Sequence, residues 1–107
     1  MTLVDKDRAE AEIRTSEKII ALFFADYCPY CRAFRPLFQN VASSSDGDFA
    51  EIDITDDDSP FWDEFGISIV PTIIAFSDGG IIARRDGKAH VGLDISDLEG
   101  ILREVKD

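Results

Sequence analysis

A continuous apolar run at residues 19–25, Ile-Ile-Ala-Leu-Phe-Phe-Ala, most constrains how this chain can fold. The run is shorter than a typical helix and rich in β-branched and aromatic residues, as strands are. A strand without polar alternation is buried on both faces, which is typical of parallel or mixed sheets. The run therefore predicts the central strand of an α/β domain with helices on both faces of its sheet.

The rest of the chain alternates between helical and extended patterns. The predicted elements are helices at residues 5–16, 28–42, 60–65 and 96–105, and strands at residues 49–55, 72–76 and 81–85. The alternating first half favours parallel neighbours. The last two strands are joined by a tight turn, which makes the sheet mixed. We predict a mixed sheet of about four strands.

Candidate capping residues mark three of these helices. Asp5 is a candidate N-cap of the first helix, and Ser59 precedes a proline at the start of the third. The pattern Ser96-x-x-Glu99 is typical of a capping box at the start of the last helix.

Length and charge indicate one acidic domain, residues 1–107. The length is below that of two ordinary domains. The net charge of −11 argues against binding nucleic acid or an anionic membrane. No apolar run approaches the roughly 20 residues of a membrane span. The start shows no signal-peptide pattern, so a cytoplasmic location is expected.

Cys28 and Cys31 are the candidate catalytic residues. Cys28 lies where the apolar strand gives way to a helix, and a helix N-terminus stabilises a thiolate. We predict that Cys28 attacks a substrate disulfide and that the more buried Cys31 resolves the mixed disulfide. Arg32 and Arg35 either add positive charge near the sulfurs or form only a solvated helix face.

Two other interpretations of the cysteine pair are weaker. A structural zinc site needs four ligands, and the chain offers two cysteines and one histidine, His90. A purely structural disulfide would close a very short loop and gain little stability. We therefore expect no metal and no cofactor other than a redox-active Cys28–Cys31 disulfide.

Several features occur together in a recognisable order. They are the apolar strand, the motif Asp26-Tyr27-Cys28-Pro29-Tyr30-Cys31-Arg32, a proline at Pro36 and the tripeptide Val70-Pro71-Thr72. With them the chain resembles the thioredoxin family over nearly its whole length. The resemblance implies the thioredoxin fold and reduction of protein disulfides by a monomer. A thioredoxin reductase or another electron donor would recharge it.

The resemblance also implies a substrate groove opposite the cysteines. The matching family proline is cis, so a cis bond is expected at Pro71. An extended substrate segment would pair with the backbone at Val70, with Tyr27 and Thr72 beside it. The family places a glycine at this groove, and Gly87 and Gly92 are the two candidates.

The active-site tetrapeptide departs from the common thioredoxin pattern. Cys-Pro-Tyr-Cys is similar to the glutaredoxin motif, and Pro29 and Tyr30 are expected to tune the reduction potential. We expect a potential nearer the glutaredoxins, about −200 to −230 mV, than thioredoxin, about −270 mV. A glutathione-dependent glutaredoxin is thus one alternative, and a non-catalytic thioredoxin-like binding domain is another.

A second departure concerns the proton of Cys31. Leu22 stands where thioredoxins usually carry a buried aspartate, and Glu51 stands near the position of its lysine partner. Asp26 and Glu51 are candidate substitutes. Glu51 is either a buried base for Cys31 or an exposed strand carboxylate.

Overall fold

A mixed five-stranded sheet forms the centre of the protein. The computed structural model describes residues 2–4, 6–45 and 47–105. The elements in chain order are β1 (Thr2–Val4), α1 (Lys6–Thr15), β2 (Ile19–Phe24), α2 (Pro29–Ser43), β3 (Asp48–Asp53), α3 (Phe61–Glu64), β4 (Thr72–Ser77), β5 (Gly80–Asp86) and α4 (Ile95–Val105). The predicted α/β fold class is confirmed.

The strand order is β1-β3-β2-β4-β5, which places the apolar run at the centre. β2 pairs in parallel with β3 and antiparallel with β4, and β5 continues the hairpin from β4. The sheet has one strand more than the predicted four. The additional strand, β1, has three residues and pairs in parallel with β3 at the sheet edge. Such a short segment shows no period-two pattern in the sequence.

From residue 19 to residue 23, the side chains of β2 alternate between two hydrophobic clusters, one on each face of the sheet. Ala21 and Phe23 belong to the cluster that holds Ile13 of α1 and Phe61 of α3. Ile20 and Leu22 belong to the other cluster, under α2 and α4, with Phe34, Phe38, Leu98 and Ile101. Helices therefore cover both faces, because every residue of the central strand is buried.

Two of the predicted helix caps differ from the structure. The reciprocal pair at α4 is Asp94 and Asp97: the Asp97 N–H donates to Asp94 Oδ1 at 3.1 Å, and the Asp94 N–H to Asp97 Oδ2 at 3.0 Å. The predicted Ser96–Glu99 box is wrong because the helix already begins at Ile95. Pro60, without a side-chain hydrogen bond, occupies the cap of α3 instead of Ser59. Asp5 lies outside the described residues.

The turn between β4 and β5 agrees with the prediction. Asp78 and Gly79 have φ angles of 51° and 86°, the left-handed pair that a two-residue hairpin turn requires. In the described part of the chain, no helix has both the length and the hydropathy to cross a membrane.

Candidate active site

Cys28 occupies the N-cap position of α2, directly after the central strand. Its backbone is extended, with φ −89° and ψ 115°, and Pro29 begins the helix without an N–H that needs a partner. The backbone N–H of Cys31 donates to Cys28 Sγ at 3.2 Å. Only 7% of Cys28 is exposed. Cys28 Sγ therefore lies at the positive end of the helix dipole with one backbone N–H directed at it.

Cys31 lies in the first turn of α2 and has no exposed surface. Burial is the largest of the effects that raise the pKa of its thiol to about 12. A backbone hydrogen bond with Ala25 and the charge of Arg35 act in the opposite direction, whereas neighbouring Cys28 raises the pKa further. Both cysteines are thiols in this structure. Cys31 therefore stays protonated at neutral pH as long as its burial and its neighbours are those of this structure.

The loop before β4 packs directly against Cys28. The Val70–Pro71 peptide bond is cis, as the resemblance implied. The Cys28 thiol donates to the Val70 carbonyl oxygen at 3.5 Å. Thr72 is fully buried, and its hydroxyl donates to the Ile69 carbonyl at 2.7 Å. The Thr72 side chain thus braces the loop from inside and is not available to a ligand.

The two candidate glycines both lie at this face, each against a different partner. A Cβ on Gly87 would lie 2.5 Å from the carbonyl oxygen of Pro71. A Cβ on Gly92, whose φ is +77°, would lie 2.7 Å from Tyr30 Cβ. Residues 88–92 form a closed loop, because Lys88 and Gly92 exchange backbone hydrogen bonds of 3.0 and 2.8 Å. Gly87 thus contacts the proline loop, and Gly92 contacts the tetrapeptide.

Three exposed apolar side chains lie in the motif and in the closed loop next to it. Tyr27, before Cys28, is 60% exposed, and Tyr30 is also exposed. Val91, beside Gly92 in the closed loop, is exposed as well. We call these three exposed side chains, Tyr27, Tyr30 and Val91, the apolar rim: Tyr27 and Tyr30 flank Cys28 in the chain, and Val91 adjoins the glycine that faces Tyr30.

Asp26 and Arg32 lie at the exposed side of the same motif. The Asp26 backbone N–H donates to Thr55 Oγ1 at 2.8 Å, and its carbonyl oxygen accepts from Arg32 Nη1 at 3.4 Å. Both residues are exposed. Arg32 thus corresponds to the solvated alternative for the helix arginines, and Asp26 is not a buried carboxylate.

Glu51 is 1% exposed, so its interpretation as an exposed strand carboxylate is wrong. It pairs in register with Leu22, on the sheet face that α2 covers. Glu51 Oε2 accepts from Arg35 Nε at 2.6 Å, and Oε1 accepts from Gln39 Nε2 at 2.9 Å. Arg35 and Gln39 lie one turn apart on α2.

The buried cluster of Arg35, Gln39 and Glu51 was not predicted from the sequence. The sequence signal for the cluster was a charged residue, Glu51, inside a strand that the order of helices and strands places in the interior of the sheet. The alternation in β3 suggested a solvated face, yet four consecutive residues of β3 are buried. Elsewhere in the described residues, no three His, Cys, Asp or Glu side chains converge into a group that could hold a metal.

A dithiol at a helix N-terminus, against a cis-proline loop of a mixed sheet, defines the thioredoxin-fold class of exchange proteins. The thioredoxin family model matches residues 1–96. The chain therefore belongs to the thioredoxin family and is a thiol–disulfide oxidoreductase.

Relatives from distant organisms agree with this assignment. A thioredoxin of Mycoplasmoides gallisepticum is 29% identical over 86 residues, covering 79% of this chain and 85% of that protein. A probable thioredoxin-2 of Caenorhabditis elegans is 29% identical over 102 residues, covering 94% of this chain and 67% of that protein. These similarities do not favour the glutaredoxin alternative.

Solved structures share the fold. The thioredoxin of Plasmodium falciparum superposes with a TM-score of 0.80 at 19% identity, covering 99% of this chain and 100% of that chain. A chain from a complex of ferredoxin:thioredoxin reductase and thioredoxin f2 superposes with a TM-score of 0.82 at 20% identity, covering 99% and 94%.

Proposed function

We propose that Cys28 is the nucleophile and Cys31 the resolving thiol in reduction of protein disulfides. The observation that carries the proposal is the position of Cys28 Sγ at the start of α2, against the Val70 carbonyl. Of the two thiols, Cys28 alone has exposed surface, so an incoming disulfide meets it first.

The exchange consists of two displacements. The Cys28 thiolate attacks one sulfur of the substrate disulfide, forms a mixed disulfide and expels the other sulfur as a thiolate. Cys31 then loses its proton and attacks Cys28 Sγ. The bond from Cys28 to the substrate breaks, and the substrate sulfur leaves as a second thiolate that takes up a proton. The substrate gains two electrons, and Cys28 and Cys31 become a disulfide without any metal or cofactor.

The substrate surface combines the proline loop with the apolar rim. An extended segment would pair with the backbone at Val70 and lie over Pro71, with Tyr27 and Tyr30 contacting its side chains. Because Gly87 has no Cβ, the Pro71 carbonyl can lie directly against it. Because Gly92 has no Cβ, the Tyr30 side chain can lie directly against it. Thr72 supports this surface from below through its bond to Ile69.

A reductase is the proposed source of electrons. The thioredoxin f2 neighbour was solved with ferredoxin:thioredoxin reductase, which supports a protein partner of this kind.

We propose a single-domain monomer in the cytoplasm, where thiols are kept reduced. Pro29 and Tyr30 would tune the potential toward about −200 to −230 mV, against about −270 mV for thioredoxin. Equilibration with glutathione or dithiothreitol buffers measures it, and a thioredoxin-like value would contradict this part.

A comparison of reductants tests the function. Insulin reduction would be followed with thioredoxin reductase and NADPH, with glutathione and its reductase, and with dithiothreitol. We expect turnover with thioredoxin reductase, none with Cys28→Ser, and a trapped mixed disulfide with Cys31→Ser. Turnover with glutathione alone would return the protein to the glutaredoxin alternative. No acceleration with dithiothreitol would favour the non-catalytic binding domain.

A further inference from the structure

The buried cluster under α2 places a cation one helical turn after the resolving cysteine. Arg35 follows Cys31 by four residues in α2, so the two side chains lie on the same helix face. The Arg35 guanidinium carbon lies 4.0 Å from the ring centroid of Phe24, the last residue of β2. Its Nε donates to Glu51 at 2.6 Å. The stacking and the ion pair hold this long side chain in one place.

Glu51 is poorly suited to be the base for Cys31. Both of its carboxylate oxygens already accept hydrogen bonds, one from Arg35 and one from Gln39. Protonating it would leave the Arg35 charge half-buried without its counter-charge, which is unfavourable. The two hydrogen bonds of the Glu51 carboxylate instead suit a residue that orients Arg35.

Arg35 acts on Cys31 in the direction that resolution needs. The titratable or charged side chains that act on Cys31 are Cys28, which raises its pKa, and Arg35, which lowers it. Once Cys28 is bonded to the substrate, it carries no negative charge, so its Coulombic opposition disappears. The arginine charge remains, because a guanidinium keeps its proton in proteins.

We propose that Arg35, oriented by Glu51, stabilises the Cys31 thiolate during resolution of the mixed disulfide and replaces the buried carboxylate missing at Leu22. The proposal rests on the division of labour between Cys28 and Cys31 given above. Cys31 gives up its proton, the new bond forms between the two cysteine sulfurs as the bond from Cys28 to the substrate breaks, and the departing substrate thiolate takes up a proton. Arg35 thus acts on the Cys31 thiolate through its charge and exchanges no proton, and Glu51 is the positioning residue that orients it.

A two-phase assay separates the steps. Ellman's reagent, a small aromatic disulfide, releases one coloured thiolate when Cys28 attacks and a second when Cys31 resolves. Because Arg35→Met alone leaves the buried Glu51 carboxylate without its counter-charge, the main variant is Arg35→Met with Glu51→Gln, beside Arg35→Lys as the conservative replacement. The Cys31 pKa is measured separately, by thiolate absorbance in a Cys28→Ser background.

The expected result links the two measurements. A one-unit rise in pKa lowers the thiolate fraction tenfold, whereas intrinsic nucleophilicity rises about threefold, so the second phase should slow about three- to fourfold per unit. The double variant should raise the Cys31 pKa and slow the second phase by this ratio, leaving the first phase unchanged. Arg35→Lys should recover most of the rate.

Arg85→Met is the matched control. Arg85 is also ion-paired, to Glu104, and its side chain is 29% exposed against 28% for Arg35. It should change neither phase. A double variant with reduced melting temperature but an unchanged Cys31 pKa and second phase would overturn the proposal and leave Arg35 a structural residue. If the protein without substitutions shows no first phase with Ellman's reagent, the role of Cys28 as nucleophile is contradicted instead.

Discussion

Replacing Gly87 with alanine tests how tightly the proline loop is packed. The added methyl group would lie 2.5 Å from the Pro71 carbonyl oxygen, about 0.9 Å inside the 3.4 Å where ordinary contact begins. The obstacle is backbone, so no side-chain rotation relieves it. Overpacking of this kind costs about 1–3 kcal/mol. For a domain near 100 residues, each kcal/mol lowers the melting temperature by about 4–8 °C, so we expect a fall of about 4–24 °C.

Thermal unfolding followed by circular dichroism, together with insulin reduction below the transition, measures the effect. Gly80→Ala is the control, because its Cβ would meet the Ser77 carbonyl at 3.6 Å, an ordinary contact. We expect Gly87→Ala to lose both stability and activity, and Gly80→Ala to lose little of either. An unchanged melting temperature in Gly87→Ala would refute the inference that this glycine is required by contact with Pro71.

Three further predictions follow from the described contacts. Gly92→Ala should lower the free energy of unfolding by about 1–3 kcal/mol, because an L-residue at φ +77° is strained, and should lower activity because the added Cβ displaces Tyr30. Urea unfolding measures the first effect and insulin reduction the second. Equal urea midpoints for the variant and the original protein would contradict the prediction. Asp94→Ala should lower the urea midpoint, because Asp94 caps the first turn of α4, and Glu99→Ala should leave the midpoint almost unchanged; the reverse order would restore the capping box expected from sequence. The folded thiol of Cys31 binds its proton more tightly than the unfolded thiol, so its stabilising contribution holds below pH 9 and falls as the pH rises toward 12. Urea midpoints of the reduced protein between pH 8 and 10.5 should therefore fall more steeply than those of Cys31→Ala, and parallel slopes would refute the raised pKa.

The cysteine site could be predicted because its signals are local. The run at residues 19–25 is apolar without interruption, and apolar residues recur at helical spacing after Cys31. A strand followed at once by a helix places Cys28 at a helix N-terminus whatever the rest of the chain does. The cis bond at Pro71 came from the family resemblance, since the residues around a proline do not reveal its isomer.

The cluster of Arg35, Gln39 and Glu51 could not be predicted in the same way. Glu51 lies 16 residues from Arg35 along the chain, and its burial depends on α2 lying across β3. The alternation of β3 in sequence is that of a half-exposed strand. Glu51 is buried because α2 covers its face of β3, whereas Asp48 and Asp53 at the two ends of the strand are exposed.

The sequence by itself determined the order of most elements and the pair of cysteines, because each depends on residues that are close together in the chain. The family followed from the order of such short motifs, from the apolar strand to Val70-Pro71-Thr72. The tertiary structure decided which groups surround those cysteines. It brought Gly87 to Pro71, Gly92 to Tyr30 and the Arg35–Glu51 pair beneath α2. These contacts join segments distant in the chain, and only the packing of helices onto the sheet determines their distances and charges.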